Sequence, residues 1–122
     1  MTAGDAKLQA GLGRIRLRFL SVLDERLDTM EAHYDALAKH EQRDDALAVI
    51  QTEAHKIAGT ARTVGYEELG SLALDLDQSI SAYARSTTRD DALISSLVAK
   101  IDVLIEAGAD VIRAHMQETA AV

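Results

Sequence analysis

Cysteine is absent from the 122 residues, which excludes a disulfide framework and any thiolate metal site. Proline is absent too, so nothing forces a break in a long helix, and the turns must be made by glycine and polar residues. There is no tryptophan, and aromatics reach only 3% against 48% hydrophobic residues, so the core must be aliphatic. Cations are in deficit: 13 Lys and Arg against 20 Asp and Glu give a net charge of -7, which argues against nucleic acid as a partner. No run approaches the ~18 to 20 apolar residues of a membrane span, and the N-terminus lacks the apolar centre of a signal peptide. These absences give the expectation of a cytoplasmic protein with no membrane partner. The length suits one domain over 1–122, with a single core and no room for a catalytic kinase domain besides.

What is present is helical periodicity. Residues 1–13 carry a weak pattern interrupted by Gly11 and Gly13, which predicts a short extra helix across one end of a bundle and is equally compatible with disorder of the first few residues. From Arg14 to about Glu41 the apolar residues Leu20, Leu23, Leu27, Met30, Tyr34 and Leu37 alternate three and four apart, a long amphipathic helix. Arg14, Arg16 and Arg18 stand at its start, unfavourably against the helix dipole, so they need a counterpart: Asp24, Glu25, another helix or an acidic partner surface.

A polar stretch from Glu41 to Asp45 follows, with Asp44 or Asp45 placed to cap a second helix running to Val64. Gly65 is positioned to close it in a left-handed conformation. Glu67 and Glu68 open a third helix with an inner face of Leu69, Leu72, Ala73, Leu76, Ile80 and Tyr83. The fourth starts near Arg89 or Asp90 with Leu93, Leu97, Ile101, Leu104, Gly108 and Val111 inward, where an interior glycine points to a close helix-helix approach or a bend. The pentapeptide Arg-Asp-Asp-Ala-Leu occurs at 43–47 and again at 89–93, a reused helix-start signal. Short loops throughout imply an all-α, up-and-down antiparallel four-helix bundle with that short N-terminal helix added.

The chemistry concentrates in the second helix. Leu47, Ile50, Ala54, Ile57, Ala61 and Val64 form its buried stripe, and at roughly 100° per residue His55 projects about 130° from the centre of that stripe. The imidazole is therefore presented to solvent. Ala48, Thr52, Gly59 and Arg62 share its face. A glycine inside a helix costs about 1 kcal/mol relative to alanine, and Gly59, one turn from the ring, has an economical reason: it lets another protein's backbone come close.

His55, Ile57, Gly59, Thr60, Ala61 and Gly65, then Leu69, Ala73, Leu76 and Asp77, resemble the signature of histidine-containing phosphotransfer (HPt) domains over about 25 residues and two helices. The resemblance implies that His55 is the phosphoacceptor of a two-component phosphorelay, exchanging a phosphoryl group with the aspartate of a response-regulator receiver domain. A hybrid sensor histidine kinase is a further partner it implies. The family's lysine three residues after its histidine is Ala58 here, so Lys56 and Arg62 are the cations available to stabilise the phosphoryl group. Thr52, Gly59 and Thr60, with Ala48, would shape the contact, and Asp75 and Gln78 on the following helix would flank it. The chain would need no cofactor of its own, Mg²⁺ being supplied by the receiver.

Competing chemistries lack their residues. A di-metal bundle site wants a Glu three residues before a His, and Met30, Leu37, Thr52 and Ile112 occupy those places before His33, His40, His55 and His115. No Gly-x-x-x-x-Gly-Lys-Ser/Thr loop and no Gly-x-Ser-x-Gly elbow occurs, so there is no kinase, nucleotide-binding or acyl-transfer machinery. The alternative to a phosphotransfer intermediate is a non-catalytic module that docks a receiver or kinase without exchanging phosphate. A purely structural bundle accounts for the stripes but not for the residues clustered around His55.

Overall fold

The computed structural model describes residues 3–120. Four helices follow one another: α1 (Ala3–Ala32), α2 (Arg43–Ala61), α3 (Glu67–Arg85) and α4 (Asp91–Ala120), with one 3₁₀ turn, Asp35–Ala38, between α1 and α2. Cross-helix contacts fix their directions. Arg26 near the end of α1 pairs with Glu53 of α2, while Arg16 reaches Val64 at the end of α2. Arg62 meets Ser71 and Gln51 meets Ser81, Lys100 meets Asp75, and Gly108 lies against Leu27. Each helix is thus antiparallel to the next, and α4 closes the ring on α1.

The aliphatic stripes interlock as their spacing requires. Leu23, Met30, Ile50, Ile57, Leu76, Ile101 and Leu104 are the large side chains lost almost wholly from solvent, and among the described residues no charged or polar side chain is buried with them. Burial of each such side chain contributes about 1.5 to 3 kcal/mol, and this term, more than helix propensity, holds the bundle. Phe19 and Tyr66 stack at 5.6 Å between ring centres and close one end.

α2 ends as its glycine requires. Gly65 has φ 97°, Tyr66 N–H donates to the Ala61 carbonyl at 2.8 Å and Gly65 N–H to the Arg62 carbonyl at 3.2 Å, the paired bonds of a Schellman turn. Arg16 adds its Nε–H to the Val64 carbonyl at 3.0 Å. One member of the arginine cluster is therefore answered by the negative end of a neighbouring helix. Among the described residues Arg14 and Arg18 form no ion pair, so the expected pairing with Asp24 or Glu25 is not made.

Four expectations are corrected. No separate N-terminal helix forms: α1 runs unbroken through Gly11 and Gly13, because two glycines cost only about 1 kcal/mol each and helix propagation from the buried stretch beyond Phe19 is cooperative. Beyond Ala32 the helix does not continue to Glu41. The chain tightens into the 3₁₀ turn, whose three-residue period keeps Tyr34 and Leu37 on one side, with the Leu37 carbonyl held by Arg43 Nε–H at 2.7 Å. Neither Asp44 nor Asp45 caps α2; the N-cap is Gln42 without a side-chain bond, and both aspartates sit in the first turn. In α4, Leu93 is 39% exposed and Ile94 packs on the core instead. The sequence 94, 97, 101, 104, 108 keeps alternating three and four, whereas a start at 93 would take two steps of four and drift off the stripe. Asp90 Oδ1, accepting from Leu93 N–H at 3.0 Å, caps this helix.

The interior glycine of α4 marks a close approach. A Cβ on Gly108 would lie 2.9 Å from Leu27 Cδ1, and Leu27 is itself buried. Gly108→Leu is expected to destabilise the fold by about 1–3 kcal/mol through overpacking, measured by urea unfolding, despite the better helix propensity of leucine.

Candidate functional site

His55 stands where its phase on α2 put it, with its side chain 77% exposed. Its Nδ1 lies 2.8 Å from Asp77 Oδ2 on α3, and the Asp77 side chain is only 15% exposed. A carboxylate only accepts, so Nδ1 carries a proton, and in the neutral form of the ring the free lone pair is then on Nε2. One turn before His55, Gln51 donates from its amide nitrogen to Asp77 Oδ1 at 3.0 Å, to the Asp77 carbonyl at 3.2 Å and to Ser81 Oγ at 2.6 Å. Both carboxylate oxygens of Asp77 are thus engaged, one by each of two neighbouring residues on α2. Burial acts to raise the Asp77 pKa, but the hydrogen bonds from His55 and Gln51 and the attraction of the His55 ring outweigh it and hold the carboxyl below its usual 3.8.

Gln51, Thr52, His55, Lys56 and Asp77 together line an open depression of about 260 Å³. Thr52 turns its hydroxyl back to the Ala48 carbonyl at 3.0 Å, and Thr60 does the same toward Lys56 at 2.9 Å, so methyl groups and backbone, more than hydroxyls, form the surface around the ring. Ala48 and Gly59 are exposed on that face. A Cβ on Gly59 would meet nothing within 4 Å, so no internal contact explains this glycine.

Of the two cations singled out, Lys56 borders the depression and Arg62 does not. The Arg62 side chain lies across Gly70, and its Nη2 donates to Ser71 Oγ at 3.2 Å, two turns along the helix from the ring. Ala58, where a cation was missing, is half-buried and packs on the core. Asp75 points away from the site: it pairs with Lys100 Nζ at 3.1 Å on the α4 side, because residues two apart on a helix diverge by about 200° and Asp77 takes the α2 side. Gln78 is exposed beside Asp77. Sequence reasoning missed Gln51 as a site residue, and it placed Asp77 in a motif without a role. The available signal was the four-residue spacing of Gln51 and His55, which sets two side chains on one helix face to meet the same neighbour.

A family model described as Hpt domain matches residues 14–119. The chain belongs to the Hpt domain family. No curated protein and no solved structure was found to match it. Hpt domains serve histidine phosphotransfer in phosphorelays and interact there with receiver domains. The Hpt match spans all four helices and begins at Arg14, so the exposed first turns of α1 lie outside it. Among the described residues no helix is long and apolar enough to cross a membrane, and no group of three or more His, Cys, Asp or Glu is placed to hold a metal ion.

Two outcomes follow for this Hpt site. Gly59→Ala is expected to stabilise the domain by about 1 kcal/mol in urea unfolding, since the helix gains and nothing is displaced; a destabilised variant would contradict the open surface. The Asp77 carboxyl, followed by ¹³C NMR, is expected to titrate below 3.8 and to move upward in His55→Ala. Because the folded value is the lower one, the stability this carboxylate contributes is complete above its unfolded pKa and is lost as pH falls through the folded value.

Proposed function

We propose that the chain is a phosphorelay carrier in which His55 takes a phosphoryl group from the phospho-aspartate of a receiver domain and returns it to a receiver aspartate. The observation that supports this most is the outward imidazole with Nδ1 engaged by Asp77, leaving Nε2 as the nucleophile. In the transfer, the Nε2 lone pair attacks phosphorus, the P–N bond forms, and the acyl-phosphate P–O bond breaks to release the aspartate carboxylate. No proton need leave. The ring keeps its Nδ1 proton and becomes a phosphoryl-imidazolium, whose positive charge the Asp77 carboxylate offsets at hydrogen-bond distance. The reverse transfer retraces these steps.

The domain's part is position, since the transferring oxygens are stabilised by Mg²⁺ and cations held by the receiver. Lys56, bordering the depression, is the cation we assign to the phosphoryl group once it is on the ring. Arg62, exposed two turns away on the same face, contributes longer-range positive charge to the docking surface and reaches the phosphoryl group only by leaving Ser71. Ala48, Thr52, Gly59 and Thr60 form the contact surface, with Gln78 at its edge; Asp75 lies outside it, paired with Lys100. The setting is the cytoplasm, where receivers and the hybrid kinases that carry them work.

One observation favours a second reading, a docking module without phosphate exchange: Ala58 offers no cation where the family has one. A single experiment separates the two. Incubated with a ³²P-labelled receiver, the wild type is expected to take up acid-labile label and His55→Gln none. Equal labelling of both would reject His55, and binding without labelling of either would establish the docking module.

A further inference from the structure

The carboxylate behind the ring is itself held, and by a residue the transfer step does not require chemically. Gln51 has one amide nitrogen with two hydrogens, and it faces three acceptors, the Asp77 carboxylate, the Asp77 carbonyl and Ser81 Oγ, at 3.0, 3.2 and 2.6 Å. All three neighbours accept, so the amide is oriented with its nitrogen inward. Gripping the main-chain carbonyl as well as the side chain of Asp77 fixes the carboxylate relative to the backbone that carries it. An aspartate's terminal torsion is broad and roughly two-fold, so a carboxylate bonded only to an exposed imidazole would rotate freely and exchange its partner for water. With Oδ1 taken by Gln51, Oδ2 is left facing His55 Nδ1.

We propose that Gln51 is a positioning residue of the transfer site: by clamping Asp77 it selects the His55 tautomer with the proton on Nδ1 and so keeps Nε2 free to attack phosphorus. The proposal rests on the phosphotransfer reading for its purpose, though not for its geometry. Free histidine in water prefers its proton on Nε2, the wrong nitrogen for attack by Nε2, so the site must reverse an intrinsic preference. A carboxylate can do this only from a fixed direction. The logic is that of a hydrolase triad, in which an acid that never touches substrate sets which ring nitrogen is basic. Gln51 stands one step further back, as an orienter of the orienter. It also donates to Asp77 without bringing charge, so it keeps the carboxylate ionised while leaving its attraction for a phosphoryl-imidazolium undiminished.

A helix cross-link of no consequence for the ring is the competing account, and it predicts a change in stability alone. The test therefore reads the ring directly. Long-range ¹H–¹⁵N correlation of His55, recorded well above the ordinary imidazole pKa of about 6.5, distinguishes the two neutral tautomers. The wild type is expected to show the Nδ1–H form. Gln51→Met, which keeps the side-chain volume and removes the donor, is expected to show a mixture with the Nε2–H form, together with label uptake from a phosphorylated receiver slowed about tenfold, the order seen when an outer residue orienting a reactive group is lost. Gln51→Asn, which keeps an amide too short to span to Asp77, gives the same comparison if the Met variant does not fold. A folded variant that retains the wild-type tautomer overturns the proposal. Failure of the wild type to take label from any receiver would overturn the phosphotransfer reading, while the tautomer comparison would still decide for or against Gln51.

Discussion

The 2.8 Å hydrogen bond from His55 Nδ1 to Asp77 Oδ2 is the contact on which the site depends, because it joins an exposed imidazole to a half-buried carboxylate on a different helix. An exposed side chain on a lone helix samples several rotamers and both tautomers. Across the α2–α3 interface it does neither freely, and the immobilisation is supplied by the packing of Ala54, Ile57, Ala73 and Leu76 directly beneath. The bundle thus contributes to chemistry through rigidity: the core fixes the helices, the helices fix Asp77 and Gln51, and these fix the ring.

The same arrangement separates two demands that often conflict. The core that holds the fold is apolar and mostly aliphatic, and no polar or charged side chain is buried in it among the described residues. The exposed imidazole and the residues around it lie outward, on one face of α2 with Asp77 of α3 behind. Gly59 is the clearest sign of that division, a residue that weakens its own helix and touches nothing in the domain. On the reading proposed above, its use lies outside the molecule, in what approaches the ring.

How much of this the sequence disclosed depended on whether the physics was local. The stripes of α2 and α3, the outward phase of His55 and the left-handed Gly65 follow from a 3.6-residue period and from glycine's tolerance of positive φ, and each was legible from neighbouring residues alone. Leu93 was misplaced because a step of four is as helical as a step of three, and only the facing helices decide between Leu93 and Ile94. The break after Ala32 was hidden because a 3₁₀ turn preserves the spacing an α-helix would have had. That Asp75 pairs with Lys100 on α4 and that Gln51 reaches Asp77 could not be read off, since both require knowing which flank of α3 meets α2. That is a property of pairs of helices, written in neither one.

α1 is longer than the helix it packs on: Arg16 already sits at the end of α2, and the turns before it carry Leu8, Leu12 and Ile15 into solvent with no companion. At 1.5 Å per residue this overhang extends α1 by about 20 Å beyond the Arg16–Val64 bond and the stacked Phe19 and Tyr66. That bond lands on the C-terminal turn of α2, so anything gripping the overhang would hold the same helix that carries the imidazole about two turns further in.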